Sequence, residues 1–172
     1  LGTVTLREPL EEKAGTEFLL LPCGTCIGCR KSKAREWALR CQLELDHHNV
    51  ASWATLTYDD DHVPWTLSKY HLQSFVRSLR KKLGTKSVRY FATGEYGEST
   101  RRPHYHAILF GVPQHDPALQ RSWPFGHLRS DPISPANIAY TAGYCSKKLG
   151  WKLDAEKVDP DTGEIWQPPF NL

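Results

Sequence analysis

The stretch Glu95-Tyr-Gly-Glu-Ser-Thr-Arg-Arg-Pro-His-Tyr-His-Ala-Ile-Leu-Phe110 decides how the chain folds. Residues two apart in a strand point to one face, so His104 and His106 share a side and Tyr105 takes the other. The apolar run Ala107-Ile-Leu-Phe110 that follows predicts a central strand covered on both faces. Upstream, Val88-Arg-Tyr-Phe-Ala-Thr-Gly-Glu-Tyr96 reads as its hairpin partner across a medium loop. If the hairpin folds about Ser99-Thr100, Glu95 stands opposite His104 and joins its face. A slip of one residue would put Tyr96 there and make Glu98 the candidate instead. Two imidazoles and a carboxylate with open positions suit Mg²⁺ or Mn²⁺ bound to a phosphate oxygen. The plain alternative is a pair of histidines on a solvent-facing strand.

Outward from this hairpin, helices and strands take turns. A helix is expected from just after Cys29 to about His48, with Ala34, Trp37, Ala38, Cys41 and Leu45 on its apolar side. Ala51-Ser-Trp-Ala-Thr-Leu-Thr-Tyr58 alternates and is rich in β-formers, and Asp59-Asp-Asp61 ends it. Ser68 caps a second helix carrying Leu72, Phe75, Val76, Leu79 and Leu83, which Gly84 stops. Residues 111–125 read as loop, and Phe125 to Asp131 as a further strand. Ser134 and Pro135 open a third helix expected to reach Leu149, with Gly150 behind it. Phe18 to Leu21 is a possible strand. The expected architecture is α+β: a central antiparallel sheet with helices packed on one face. Residues 1–150 form the domain, and 151–172 an acidic, extended C-terminal tail.

On the third helix, Tyr140, Tyr144 and Lys147 or Lys148 fall on one stripe, being spaced by four and then by three or four. Two phenols and an ammonium are an unusual core stripe. Tyrosines packing with their hydroxyls at the sheet edge would account for them. The chemical reading is a nucleophile: an ordinary phenol, with a pKa of about 10, needs a neighbouring ammonium or a metal-polarised phosphate in order to attack. Two such phenols could act in turn.

The chain's 172 residues amount to about one domain, and 40% hydrophobic with 24% charged residues is ordinary for a globular protein. Six Trp, seven Tyr and six Phe argue against disorder. No membrane span or secretory leader is visible, and the lack of any Met predicts a chain trimmed from something longer. The net charge of +3 hides an uneven distribution. Arg30 to Arg40 holds five basic residues and one acidic; Arg77 to Arg102 holds eight and two; Lys152 to the end holds two and five. A basic body can follow a phosphate backbone, although solvated helix faces would look similar. The candidates for DNA contact are Arg30, Lys33 and Arg35 on the first helix, Arg77, Arg80, Lys81 and Lys82 on the second, and Arg101 and Arg102 at the hairpin tip. Trp53, Trp65 and Tyr105 are candidates to stack on bases, although core packing would also explain a Trp.

Taken together, these blocks resemble the HUH (His-hydrophobic-His) endonucleases, in particular the rolling-circle replication initiators of the microviruses, gokushovirus branch. Trp53-Ala-Thr-Leu-Thr-Tyr58 looks like the first family motif. Glu95-Tyr-Gly with Arg102-Pro-His-Tyr-His-Ala-Ile-Leu-Phe-Gly111 looks like the second, and Tyr140-Thr-Ala-Gly-Tyr-Cys-Ser-Lys-Lys148 like the third in its two-tyrosine form. The segment over residues 22–30 is similar too. The resemblance implies His104, His106 and Glu95 as metal ligands, Tyr140 and Tyr144 as nucleophiles and Lys147 as the lysine that follows them. It implies a sheet arranged like an RNA-recognition module. The implied activity is metal-dependent nicking and rejoining of single-stranded DNA at a phage origin, through a 5′-phosphotyrosyl link, in a host bacterial cytoplasm. No Gly-x-x-x-x-Gly-Lys-[Ser/Thr] motor motif is present, so host helicase and polymerase are the expected partners.

Five cysteines and no leader favour reduced thiols. Cys23, Cys26 and Cys29, with Cys41, His47 or His48 as a fourth ligand, could hold Zn²⁺. Against that, Cys41 falls on an apolar stripe, and a Gly-rich turn with buried thiols explains the same residues. Cys145, beside the tyrosines, reads as packing. Two rival functions remain open: a non-catalytic module that binds single strands with a structural zinc, and a metal phosphohydrolase that works through water.

Overall fold

Each helix begins where a side chain can take up backbone N–H groups that its first turn leaves unpaired. The computed structural model describes residues 21–84, 88–97 and 100–144, together with the backbone of 157–158 and 165–166. The Cys26 side chain accepts from the Cys29 N–H at the start of α1 (Ile27–Leu45). Ser68 accepts from His71 N–H at α2 (Lys69–Leu83), which ends at left-handed Gly84 as expected. Ser134 accepts from Asn137 N–H at α4 (Pro135–Gly143).

A short helix, α3 (Pro117–Ser122), stands within the segment expected to be loop. Its signal is Asp116-Pro117: the carboxylate accepts from Ala118 N–H at 2.8 Å, and proline suits the first helical position. Burial of Leu119 and Trp123 supplies the driving force. α1 starts at Ile27, so that Cys29 lies inside it rather than before it, and ends at Leu45 rather than near His48. In α4 the helix runs to Gly143, with Tyr144 as its C-cap. Residues 145–150, including Cys145 and Lys147, lie outside the described residues, as does the possible strand over 18–21 apart from Leu21. Within the expected extended tail, β5 (Lys157–Val158) pairs antiparallel with β6 (Ile165–Trp166).

The strands β1 (Ala51–Tyr58), β2 (Arg89–Tyr96), β3 (Pro103–Phe110) and β4 (Gly126–Pro132) form one antiparallel sheet in the order β2-β3-β1-β4. The α+β class is as expected, but the helices cover both faces, not one. β3 explains this, because nearly all of it is buried. Tyr105, Ala107 and Leu109 pack in a core with Leu72, Phe75 and Leu79 of α2 and Leu119 of α3. Ile108 and Phe110 point the other way, into a second core with Cys41 of α1 and Ile138 of α4. A large apolar side chain fully buried in this way contributes about 1.5–3 kcal/mol, so a strand apolar on both sides demands cover on both.

Tyr105 is fully buried. Its hydroxyl donates to the Ser68 carbonyl at 2.9 Å and accepts from the Ser68 N–H at 2.8 Å. It cannot stack on a base, contrary to the sequence expectation. Trp65 is exposed.

Candidate active site

The β2–β3 register pairs Glu95 with His104 and Thr93 with His106. This is the hairpin register that brings a carboxylate beside the imidazoles, and the slipped alternative is ruled out. Glu95 Oε2 lies 3.4 Å from His104 Nε2 and 3.4 Å from His106 Nε2. The three ligand atoms all lie within 4.8 Å of one another. The side chains of Glu95 and His106 are 14% and 7% exposed and that of His104 is 20%, so the cluster is largely covered and His104 keeps the most contact with solvent.

The ring orientations are fixed from behind. His104 Nδ1 lies 3.3 Å from the Arg102 carbonyl oxygen, which can only accept. Nδ1 therefore donates there, which turns Nε2 toward Glu95. His106 Nδ1 is held 3.2 Å from Thr55 Oγ1 on the neighbouring strand, which turns its Nε2 to the same point. Two ligand atoms on one hard cation, at about 2.1–2.3 Å each, stand about 3.0–3.5 Å apart. The trio's donor set and spacing fit such an ion.

α4 lays the tyrosines over this cluster. Tyr144 stacks on His106 at 5.8 Å between ring centroids, and Tyr140 meets the same imidazole edge-on at 5.2 Å. The Tyr144 hydroxyl donates to that of Tyr140 and lies within hydrogen-bonding reach of the Glu95 carboxylate, its one proton serving either partner. Tyr144 is buried, and burial, followed by its bonds to Glu95 and Tyr140, holds its phenol well above the ordinary range. Tyr140 is 45% exposed. The two tyrosines of the stripe read from the sequence therefore converge on the strand cluster.

Two residues that position the site escaped notice as such in the sequence. Thr55 read only as a β-former. Trp53, a candidate for base stacking, instead lies flat against His106, with centroids 5.1 Å apart and planes 3° apart. Its indole N–H donates to Thr141 Oγ1 at 2.9 Å, tying β1 to α4. Strict alternation along β1, placed beside β3, would have put both on the histidines' face.

The basic candidates divide between the two faces. Arg30, Lys33 and Arg35 ride on α1, on the sheet face that carries His106. Arg77, Arg80 and Lys81 ride on α2, across the sheet from it. The Arg80 guanidinium donates to the Val88 carbonyl at 2.7 and 3.2 Å. Arg102 bridges Asp60 and the Tyr58 carbonyl. Arg101 is exposed in the hairpin loop.

Cys23, Cys26 and Cys29 are half-buried rather than buried, and their sulfurs converge within 4.8 Å. The backbone N–H groups of Cys26 and Thr25 pull the Cys23 thiol down to about 6. Cys41 is buried in the second core, and His48 faces Glu44 at the far end of α1, so neither joins them.

A metal-fit cluster on a central antiparallel sheet, with paired phenols laid over it by a helix, is the arrangement the fold builds. The chain belongs to the replication-associated protein ORF2/G2P family, whose model matches residues 51–149 and so spans β1, the histidine strand and the tyrosine helix. It is 32% identical over 158 residues to replication-associated protein ORF2 of Spiroplasma virus 4, covering 77% of this chain and 49% of that protein. It is 30% identical over 159 residues to replication-associated protein VP4 of Bdellovibrio phage phiMH2K, covering 78% and 50%. It is 29% identical over 163 residues to replication-associated protein ORF4 of Chlamydia phage 1, covering 80% and 41%. The chain thus spans about half the length of the curated relatives it matches. Among solved structures, the hypothetical protein ORF119 of Sulfolobus islandicus rod-shaped virus 1 aligns at a TM-score of 0.44 and 16% identity, over 63% of this chain and 92% of that one. No helix among the described residues is long and apolar enough to cross a membrane.

Proposed function

We propose that this protein is a replication initiator that nicks single-stranded DNA at a phage origin and later rejoins the ends. One observation carries the reading: Tyr140 and Tyr144 both lie against His106, within a ring's width of the His104–His106–Glu95 trio. Family membership, and relatives named as replication-associated proteins of phages, supply the setting.

In this reading the trio holds Mg²⁺ or Mn²⁺, which when bound supplies polarisation of a phosphate oxygen. The chain does the rest. Thr55 and the Arg102 carbonyl keep both imidazoles aimed. Tyr140, the exposed phenol, attacks phosphorus in the first cleavage. The bond from its oxygen to phosphorus forms as the bond from phosphorus to the 3′ oxygen breaks, and the phenolic proton ends on that 3′ oxygen. A 5′-phosphotyrosyl link and a free 3′-hydroxyl result. Tyr144, protonated and bonded to the Tyr140 hydroxyl, is placed to take the second turn, with Lys147 as the proposed ammonium beside it. The reverse attack by a 3′-hydroxyl rejoins the strand.

Arg30, Lys33 and Arg35 on α1, and Arg101 at the hairpin, are proposed to carry the DNA backbone past the trio, on the face they share or border. Arg77, Arg80 and Lys81 would meet it only if the strand wraps to the α2 face. Host helicase and polymerase are the proposed partners, and the host bacterial cytoplasm the proposed setting.

The test is cleavage of a labelled single-stranded origin oligonucleotide in the presence of Mn²⁺. Cleavage should vanish with EDTA and fall at least about 100-fold in His106→Ala. Binding that continues without cleavage under any metal condition would favour the non-catalytic module. Turnover without a protein-bound strand would favour attack by water.

A further inference from the structure

The cysteine segment over residues 22–30 has no part in the reaction above, yet it is built as a site. Its three sulfurs come from the turn before α1, from the cap of α1 and from its first turn. Each later cysteine donates its backbone N–H to the preceding sulfur: Cys26 N–H to Cys23 Sγ at 3.3 Å, and Cys29 N–H to Cys26 Sγ at 3.4 Å. Thr25 Oγ1 approaches Cys23 Sγ at 3.7 Å. Such donors stabilise thiolates, and so does the positive end of a 19-residue helix.

The sulfur separations say what the thiolates would share. Two thiolates on one tetrahedral Zn²⁺, at about 2.3 Å each, stand about 3.8 Å apart. Cys23 Sγ and Cys29 Sγ stand 3.7 Å apart. A four-iron cluster seats each thiolate on a different iron and so spreads them more widely. Lys31 and Lys33 line the same recess as Cys29, and their charge offsets the excess negative charge of three thiolates on a divalent ion.

We propose that Cys23, Cys26 and Cys29 bind one zinc ion as three thiolates, with water in the fourth position, and that the ion clamps the turn over residues 22–26 to the start of α1. Among the described residues no fourth metal-ligating side chain joins the trio. Binding exchanges three S–H protons, released to the medium, for three Zn–S bonds, with no change of oxidation state. The clamp fixes the end of α1 from which Arg30, Lys33 and Arg35 project. The site stands apart from the nuclease reading, since it shares no residue with Glu95, His104 or His106.

The test uses the full chain with His104→Ala and His106→Ala, so that the sheet trio contributes nothing. Co²⁺ is titrated into the reduced, metal-stripped protein. The expected result is a thiolate-to-cobalt charge-transfer band that saturates at one Co²⁺ per chain, visible bands of tetrahedral strength, and their loss on adding Zn²⁺. Cys26→Ser should weaken the binding at least about 100-fold. Should that variant misfold, the spectrum of the chain with intact thiols still decides, because only thiolates give the charge-transfer band. Its absence, bands of octahedral strength, iron–sulfur absorption in the purified chain, or a Cys23–Cys29 disulfide in place of bound metal would each overturn the proposal.

Discussion

The indole of Trp53 lies parallel to the imidazole of His106, 5.1 Å away and within 3° of coplanar orientation. The contact joins β1 to β3 on the face that carries the proposed ligands, while the indole N–H reaches across to Thr141 on α4. One side chain thus holds the imidazole and anchors the helix that carries the tyrosines. Trp53→Leu should lower Mn²⁺ affinity about 10-fold through loss of this support. It should also destabilise the fold by about 2–3 kcal/mol. Calorimetric Mn²⁺ titration alongside urea unfolding measures both, and unchanged affinity would reduce Trp53 to a packing residue.

Thr55 acts on the same ring from its other nitrogen, at 3.2 Å. Thr55→Val keeps the shape and removes the hydroxyl. Mn²⁺ binding should weaken about 10–100-fold, with a stability loss of only about 1 kcal/mol. Thr55→Ser should recover most of the affinity. Equal losses in the Val and Ser variants would point to packing instead of orientation of the imidazole.

On the opposite face, His71 stacks on Phe125 at 4.1 Å and meets the Tyr58 hydroxyl at 2.9 Å through Nδ1. Burial holds this imidazole below its ordinary value. Below a pH of about 6.5 the unfolded chain therefore binds a proton that the folded chain resists. Its contribution is fully present above that pH and is lost as pH falls toward the depressed folded value. Asp59, held low chiefly by His62, acts in the same sense through the carboxylate range. The urea midpoint should drop between about pH 7.5 and 5.5, and His71→Gln should flatten that slope. A slope unaltered by the substitution would remove His71 from the account.

Gly126 begins β4 at φ +147, a conformation that side chains avoid. A Cβ there would meet the Asp59 nitrogen at 2.4 Å and the Thr57 carbonyl oxygen at 2.6 Å, both backbone atoms. Gly126→Ala should cost about 3 kcal/mol or more, read from chemical unfolding, because the pairing of β4 with β1 cannot give way. A loss under about 1 kcal/mol would mean that this pairing is looser than the register implies.

Much of the architecture was legible because it is local. Ser68 and Gly84 bracket α2, Ser134 and Pro135 open α4, and the two-residue period through His104 and His106 sets their shared face. The expectation of helices on a single face failed, although β3 already carried the contrary signal: Ile108 and Phe110 need cover as much as Ala107 and Leu109 do. Asp116-Pro117 marked a helix start inside what read as loop, since proline breaks a helix everywhere except at its first turn. Trp53 and Thr55 could be placed in the site only once β1 was known to lie beside β3, a long-range pairing that no local pattern states. The same limit applies to the cysteines, whose spacing was plain but whose exposure and convergence depend on where α1 begins.

A phenol and a cation site acting on the same phosphodiester are the core of the proposed mechanism. The most direct measurement incubates the protein with Mn²⁺ and an end-labelled single-stranded origin oligonucleotide, denatures the mixture, and maps the labelled peptide. The prediction is a covalent adduct on Tyr140, with Tyr144 labelled when Tyr140→Phe is used, and no adduct in the double Phe variant. A normal yield of adduct from the double variant, or label on a residue remote from His106, would contradict it.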